Sequence, residues 1–330
     1  MVSSIKNRDR KPEICFLGQK GLAGSGLINE YGHPTILHKK GSFVKPSAVV
    51  AFCPGHISGY FKRVSGDSPA STGSIGAGIV ISEGVTATVS HSDEISVEIQ
   101  QAGHPGPVTI TKGSPLLASA LEKLDITASV VTECRLPIGA GFGMSAAALL
   151  SSLTAVNRLL GLGLSPRQIA LHAHEEEVLH RTGLGDVAAC QGGGLVIRKE
   201  PGIDGLIERR FDLKGPLYSV SYGPIHTPEI LGSESRMHRI SGAFPTDTPG
   251  NPVDFFRICR QFAESSGLVT PEVRIALGKC DETGVPASMT MLGNGIFACG
   301  KRAGTVLASL GNAHEFRVSE SGVRIIGDLP

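Results

Sequence analysis

Tryptophan is absent from the 330-residue sequence, and aromatic residues make up only 5% of it. Platforms that stack nucleic-acid bases on aromatic rings are therefore not expected. Charge of one sign is also missing, because 31 Lys and Arg residues against 30 Asp and Glu residues give a formal net charge of +1. No block of Lys and Arg stands out, so the sequence lacks the electrostatic footprint of a nucleic-acid-binding protein.

Paired cysteine motifs and long hydrophobic runs are missing as well. The seven cysteines are scattered and contain no Cys-x-x-Cys pair, which favours free thiols in a reducing cytosol over disulfides or a zinc site. No apolar run approaches the roughly 18 residues of a membrane-spanning helix. The charged start at residues 1–11 is not followed by an apolar signal segment. These absences predict a cytoplasmic protein that binds neither membranes nor nucleic acids.

Hydrophobic residues, at 41%, and glycine, at 43 residues, are abundant. This composition and the chain length predict a folded core divided into two domains. Residues 1–46 show little periodicity and are predicted to be a poorly structured extension. The two domains are placed at residues 47–215 and 216–330. Within them strand patterns mix irregularly with amphipathic helices, which predicts the α+β class rather than a regular βαβ series.

Turn residues predict where the first strands end. The apolar run at residues 48–52 is expected to be a strand that stops at Pro54 and Gly55. Two further strands are expected at residues 78–81 and 85–89, the second because its apolar residues alternate with Thr86 and Thr88.

A glycine-rich segment at residues 137–147 carries the strongest functional signal. Gly139, Gly141 and Gly143 stand at alternate positions, so the backbone can curl with its N–H groups pointing inward. Ser145 then opens a helix, whose free N–H groups and dipole attract anions. The segment is therefore predicted to bind phosphate.

Two other phosphate loops do not fit this segment. No Lys follows the glycines, which excludes a Walker A loop, and Met144 occupies the third glycine position of a Rossmann fingerprint. A nicotinamide enzyme is therefore disfavoured. A flexible glycine loop followed by an ordinary serine remains the alternative interpretation.

An acidic helix is predicted after the N-cap Ser165, running to about residue 181. On a helical wheel the apolar residues of this helix form one arc, which consists of Ile169, Ala170, Leu171, Ala173 and Val178. Glu177 and His174 fall inside the arc, whereas Glu175, Glu176 and His172 are expected to point towards solvent. A buried carboxylate needs an ionic partner or a metal, and for Glu177 we favour the metal. His174 is either a hydrogen-bonded core histidine or a ligand contact.

The sequence PIGAGFGMSAA at residues 137–147 resembles the second motif of the GHMP kinase superfamily, Pro-x3-Gly-Leu-Gly-Ser-Ser-Ala-Ala. Phe142 replaces the usual Leu, and Met144 replaces the first Ser. The resemblance implies a two-domain fold, with a ribosomal S5 domain 2-like N-terminal domain and a ferredoxin-like C-terminal domain. It also implies that ATP and Mg²⁺ are cofactors. The ATP-binding residues that it implies are Pro137, Gly139, Ala140, Gly141, Phe142, Gly143, Met144 and Ser145.

The same resemblance assigns roles to the acidic residues. It implies that Ser145 and Glu177 hold Mg²⁺, although Glu175 matches the spacing of other family members. Asp186, in the sequence TGLGD that ends at this residue, takes the position of the catalytic aspartate that accepts or orients the substrate hydroxyl proton. A helix N-cap aspartate is the alternative for Asp186.

The segment PGHISGYF at residues 54–61 resembles the first motif of the superfamily, with His56 in place of its Lys. Combined with GSIGAG at residues 73–78 and the later TGLGD and MLGN, it is similar to the archaeal pantoate kinase family. That likeness implies phosphorylation of pantoate to 4-phosphopantoate for coenzyme A synthesis, with Ser74, His174 and Arg198 lining the substrate pocket. For Arg198 an exposed position at the end of a strand is the alternative.

Other functions stay open at this point. A GHMP kinase for another small alcohol, such as homoserine or an isoprenoid alcohol, would carry the same motifs, and so would a non-catalytic ATP-binding homologue. Retention of Ser145, Glu177 and Asp186 together counts against the non-catalytic homologue. The sequence leaves a homodimer open.

Overall fold

The computed structural model describes residues 46–330. The extension predicted for residues 1–46 therefore lies, apart from Pro46, outside the described residues. Between residues 46 and 330 no helix has both the length and the hydrophobicity of a transmembrane segment. The six cysteines in this part of the chain are free thiols.

Two sheets carry the fold. In chain order the strands are β1 Ala48–Val64, β2 Gly73–Ser90, β3 Ser96–Gln101, β4 Val108–Lys112, β5 Ser129–Cys134, β6 Leu195–Arg198, β7 Ile207–Arg210, β8 Leu217–Ser221, β9 Ala287–Met289, β10 Gly295–Cys299, β11 Ala313–Phe316 and β12 Arg324–Leu329. The larger sheet has the order β12-β1-β2-β5-β3-β4, and β6 and β7 extend it beside the first half of β2. The smaller sheet has the order β11-β8-β10-β9.

Helices cover and connect the sheets. They are α1 Pro115–Glu122, α2 Met144–Leu160, α3 Pro166–His180, α4 Asp186–Cys190, α5 Thr227–Leu231, α6 Glu234–Gly242, α7 Pro252–Ser266, α8 Pro271–Thr283 and α9 Ala303–Ala308. The predicted N-cap of α3 is confirmed, because Ser165 and Gln168 form a reciprocal capping box. The predicted end of α2 at Gly161 is also confirmed, since this glycine adopts the left-handed conformation with φ of 66°.

The prediction that Pro54 and Gly55 end the first strand is wrong. Strand β1 continues through them to Val64, with irregular pairing to β2 at Pro54/Gly55 and again at Ser58/Tyr60. A proline lacks an N–H donor, and a β-bulge is one of the few places where a strand tolerates this loss. The two strands expected at residues 78–81 and 85–89 likewise form a single strand, β2.

Helix α2 forms the centre of the core. Of its 17 residues 12 are buried, and it packs against both β1 and β2. A helix that is apolar around most of its circumference is stable only in such an interior position. Strand β12 returns from the smaller sheet to pair with β1, while residues 217–316 supply the smaller sheet. The domain boundary at residues 215/216 stays a prediction.

Gly278 and Gly84 differ in the space available for a side chain. A methyl group at Gly278, within α8, would meet no atom within 4 Å, whereas one at Gly84 in β2 would overlap the carbonyl oxygen of Cys53. We expect Gly278→Ala to raise the free energy of unfolding by about 1 kcal/mol, because alanine favours the helix. Gly84→Ala is expected to lower it by about 1–3 kcal/mol through overpacking. Urea unfolding of both variants measures the two effects, and destabilisation by Gly278→Ala would contradict this packing.

Candidate active site

The glycine-rich segment forms a tight bend ahead of α2. Gly139, Gly141 and Gly143 have positive φ values of 75°, 82° and 66°. Gly143 is the N-cap of α2 and offers no capping side chain, so the amides of the first helical turn have no side-chain acceptor. The helix begins at Met144, one residue before the predicted Ser145. The bend therefore presents unpaired N–H groups at the positive end of a long buried helix.

Distant segments hold this bend in place. The backbone amide of His56 on β1 donates to the carbonyl oxygen of Phe142 at 2.9 Å. On the other side, Gly293 lies so close to Ala140 that a methyl group at Gly293 would overlap the Ala140 carbonyl. Met291 and Leu292 of the same segment face the cavity beside the bend. The MLGN segment, residues 291–294, thus packs against the glycine bend.

Glu177 lies beside Ser145, as the helical wheel predicted for an inward-facing carboxylate. Only 1% of Glu177 is exposed, and the Ser145 hydroxyl donates to its Oε1 at 2.6 Å. Thr182 donates to the same oxygen at 3.3 Å, whereas Oε2 has no partner among the described residues. Burial and the charge of Asp186 raise the pKa of Glu177 to about 8, against the opposing effect of these two hydrogen bonds.

The prediction that Glu176 faces solvent is wrong. Glu176 is 1% exposed and forms an ion pair with Lys123 at the end of α1, with His180 Nε2 3.5 Å away. Helix α1 packs against α3 and covers this side, so the buried face is wider than the apolar arc alone. Glu175 and His172 are half-buried rather than fully turned to solvent.

Asp186 is the first residue of α4, and Gly185 takes the N-cap position that was the alternative for Asp186. Its Oδ1 accepts a hydrogen bond from Nδ1 of the fully buried His56 at 2.7 Å. Burial pushes the pKa of Asp186 upward, but this hydrogen bond and the positive charge of Arg198 outweigh it, so the net shift is downward. Asp186 is therefore held as an anion.

Arg198 is 3% exposed, so the alternative of an exposed strand-end arginine is wrong. Its Nη1 lies 3.5 Å from His56 Nε2, its Nη2 lies 3.5 Å from Ser74 Oγ, and its Nε has no partner within residues 46–330. His174 donates from Nε2 to the carbonyl oxygen of Thr72 at 2.8 Å, and its Nδ1 has no partner in the same part of the chain. Burial lowers the pKa of both Arg198 and His174. His174 thus fixes the chain two residues before Ser74.

A cavity of about 330 Å³ brings most of these groups together. Of the predicted site residues, those that line it are Ser74, Gly139, Gly141, Phe142, Gly143, Met144, Ser145 and Asp186. Pro137, Ala140, Glu177, His174 and Arg198 do not line the cavity. Glu177 contacts Ser145, which lines the cavity, and Arg198 contacts Ser74, which also lines it.

The sequence did not predict several residues of this cavity. They include Ser58, Phe61, Thr182, Ile225, His226 and Leu292. Thr182 precedes the glycine-aspartate turn and was within reach of sequence reasoning as a hydroxyl partner of Glu177. Ile225 and His226 lie in a loop with no motif, so no local signal marks them.

The sequence matches a known family. Residues 113–194 match the model of the GHMP kinases N terminal domain. The chain is 49% identical to a pantoate kinase of Methanospirillum hungatei over 279 residues, which cover 84% of this chain and 96% of that protein. It is 30% identical to a pantoate kinase of Thermococcus kodakarensis, covering 75% of this chain and 86% of the relative.

Solved structures show the same fold. A phosphotransferase related to the CoA biosynthesis pathway superposes with a TM-score of 0.67 at 25% identity, covering 85% of this chain and 99% of the other. A homoserine kinase from Cytophaga hutchinsonii superposes with a TM-score of 0.59 at 17% identity over 85% and 98% of the two chains, a likeness of fold alone. The chain therefore belongs to the GHMP kinases, within the family that contains these pantoate kinases. The predicted α+β two-domain fold is confirmed.

The buried carboxylate predicts a pH dependence of stability. With a folded pKa of about 8 against 4.5 when unfolded, Glu177 stays protonated in the folded state while the unfolded chain ionises. Without divalent metal, the free energy of unfolding should fall by up to about 1.4 kcal/mol per pH unit between these values. Glu177→Gln should remove this loss, and Glu175→Gln, at a half-buried position, should keep it. Thermal melts in EDTA from pH 5 to 8 measure the difference, and parallel curves for wild type and Glu177→Gln would contradict it.

Proposed function

We propose that this protein is an ATP-dependent pantoate kinase, which transfers the γ-phosphoryl group to the 4-hydroxyl of pantoate and produces 4-phosphopantoate for coenzyme A synthesis. One observation carries the proposal: the Ser145–Glu177 pair and the anionic Asp186 meet at one cavity beside the glycine bend. The likeness to curated pantoate kinases over most of the chain supports this substrate.

The triphosphate of ATP is proposed to lie on the glycine bend. The amides at the start of α2 have no side-chain acceptor and can bind negative charge, and the positive φ of Gly141 and Gly143 lets the backbone curl around it. Pro137 and the buried Ala140 do not line the cavity, so their part is to shape the bend. No lysine is needed within the bend, because helix amides supply the positive potential.

Ser145 and Glu177 are proposed to hold Mg²⁺. The residues fit such an ion, because Glu177 offers a buried oxygen without a partner and lies 2.6 Å from a hydroxyl oxygen. Within residues 46–330 no group of three or more His, Cys, Asp or Glu side chains could hold a metal unaided. Mg²⁺ suits such a sparse site, since it takes one or two carboxylates and completes its shell with phosphate oxygens and water. When bound, the ion neutralises charge on the transferred phosphoryl group.

Asp186 is proposed to orient the 4-hydroxyl and to accept its proton as the oxygen attacks phosphorus in line. Because its pKa is depressed, Asp186 is ionised and can accept a hydrogen bond from the hydroxyl, but it is a weak general base. Orientation of the hydroxyl therefore contributes more than proton abstraction, as expected for a loose phosphoryl-transfer transition state. Positioning and charge neutralisation supply most of the rate enhancement.

The carboxylate of pantoate is proposed to bind between Ser74 and Arg198. Arg198 is buried with a free Nε and two long contacts of 3.5 Å, so its guanidinium has donors available for a carboxylate. A methyl group at Gly185 would lie 2.6 Å from both Arg198 Nε and Ser74 Oγ, so only a glycine leaves this approach open. Phe61 and Leu184 line the cavity and offer an apolar surface to the gem-dimethyl group. Cytoplasmic location and a homodimer stay predictions.

A substrate panel tests the function directly. With Mg²⁺ and ATP, we expect ADP release to depend on pantoate and to be much slower with homoserine or mevalonate. Asp186→Asn should lower kcat by about 10²–10⁴-fold while ATP still binds. The matched control is Asp204→Asn, which alters an exposed ion pair with Arg167. A coupled ADP assay measures turnover. Equal rates with homoserine would contradict the substrate, and ATP binding without turnover would indicate a non-catalytic homologue.

A pair of neighbouring glutamates tests the metal assignment. Glu177→Gln keeps the size of the side chain and removes the charge, so the Mg²⁺ concentration for half-maximal activity should rise at least about tenfold. Glu175→Gln should leave it within about twofold, because Glu175 lies on another face of α3. Titration of activity with MgCl₂ at saturating ATP provides the measurement. The reverse order of effects would assign the metal to Glu175.

A further inference from the structure

His56 occupies a central position that the motif comparison left without a role. It stands where the first motif of the superfamily has a lysine, and none of its surface is exposed. Its backbone amide donates to the Phe142 carbonyl in the glycine bend, its Nδ1 contacts Asp186 at 2.7 Å, and its Nε2 lies 3.5 Å from Arg198 Nη1. One residue thus connects the phosphate bend, the proposed catalytic aspartate and the proposed substrate arginine.

The partners of the ring determine where its proton lies. A guanidinium has only donors, so the ring nitrogen that faces Arg198 must accept and carries no proton. The single proton of the neutral ring is therefore on Nδ1, where it is donated to Asp186. An imidazolium would direct a second N–H at the positive charge of Arg198. Burial of the ring, together with this charge, lowers the pKa of His56 and outweighs the opposing effect of Asp186. His56 is held as one neutral tautomer.

The surrounding backbone leaves the ring little freedom. His56 lies on β1 opposite Val80, and the ring reaches over Gly78 of β2, where any side chain would overlap Nε2. A methyl group at Gly143 would lie 3.2 Å from the backbone nitrogen and oxygen of His56 and 3.4 Å from Asp186 Oδ1. The bend, the imidazole and the aspartate are therefore packed in direct contact, and a shift of one displaces the others.

We propose that His56 is a positioning residue for phosphoryl transfer: its Nδ1–H fixes the carboxylate of Asp186 towards the substrate hydroxyl, and Arg198 sets the tautomer that makes this possible. The proposal rests on the proposed kinase function and goes beyond it, because it links the group that recognises the substrate carboxylate to the group that orients the reacting hydroxyl. Arg198 would accordingly act on both substrate affinity and turnover.

Two substitutions at His56 separate its two contacts. The amide nitrogen of Asn can take the place of Nδ1, so His56→Asn keeps a donor for Asp186 and loses the acceptor for Arg198. The amide of Gln reaches the position of Nε2, so His56→Gln keeps a partner for Arg198 and loses the donor for Asp186. We expect His56→Gln to lower kcat about 100-fold with the KM for pantoate nearly unchanged. We expect His56→Asn to keep kcat within about tenfold and to raise the KM for pantoate.

A merely structural histidine would give a different result. If His56 only filled space, Gln would be tolerated better than Asn, or both would lower kcat equally in proportion to their loss of melting temperature; either outcome overturns the proposal. Absence of pantoate-dependent turnover in the wild type would instead refute the proposed function.

A spectroscopic measurement on the wild type needs neither turnover nor variants that fold. Imidazole ¹⁵N chemical shifts at pH 7.5, without substrate, report the protonation of each ring nitrogen. We expect His56 to show a protonated Nδ1 and an unprotonated Nε2. The opposite tautomer, or an imidazolium, would overturn the proposal even if the protein phosphorylates pantoate.

Discussion

Burial of two carboxylates at one end of a single cavity is the constraint on which this site depends. Glu177 and Asp186 are both poorly solvated, and they would repel each other if both were ionised. In the metal-free protein Glu177 is protonated and Asp186 is an anion. Burial and the charge of Asp186 raise the pKa of Glu177 to about 8, and its hydroxyl donors, Ser145 and Thr182, do not offset this. Asp186 has a donor from His56 and a nearby guanidinium, so it stays ionised. Two acids of similar chemistry thereby become suited to different tasks: Glu177 to a cation and Asp186 to a hydroxyl group.

Backbone contacts, more than side-chain contacts, hold the glycine bend in place. The glycine bend is held between β1, through His56 and Phe142, and the segment before β10, through Gly293 and Ala140. The first contact is a backbone hydrogen bond, and the second leaves no room for a methyl group at Gly293. The proposed phosphate site is therefore assembled from three parts of the chain that are far apart in sequence. Its geometry depends on how these parts pack together.

Local patterns were sufficient for part of this structure. The glycine bend, the capping of α3 at Ser165, the end of α2 at Gly161 and the inward side of Glu177 all follow from residues close together in sequence. Glu176 was misjudged because it lies only about 20° from Ile169 on the wheel, at the border of the apolar arc. Its burial depends on Lys123 of another helix, which no single-helix argument includes.

The other differences between prediction and structure also depend on residues far apart in the sequence. Strand β1 continues past Pro54 where it pairs with β2. The burial of Arg198 depends on the position of β6 between β2 and β7. The contact of His56 with Asp186 joins residues that are 130 positions apart in the sequence. The sequence was therefore enough to name side chains that the structure brings together, while the contacts that tune their charge required the three-dimensional arrangement.

The pairing of β1 with β12 has a consequence for how the chain reaches this state. Residues 48–52 pair with residues 324–329, so the larger sheet closes only after nearly the whole described chain has been brought together. Loop closure over such separations is entropically unfavourable, and proteins dominated by non-local strand pairing fold slowly. Until β12 docks, β1 remains an unprotected edge next to the residues that support the glycine bend, and an incompletely folded chain would expose an edge strand that can pair with another molecule.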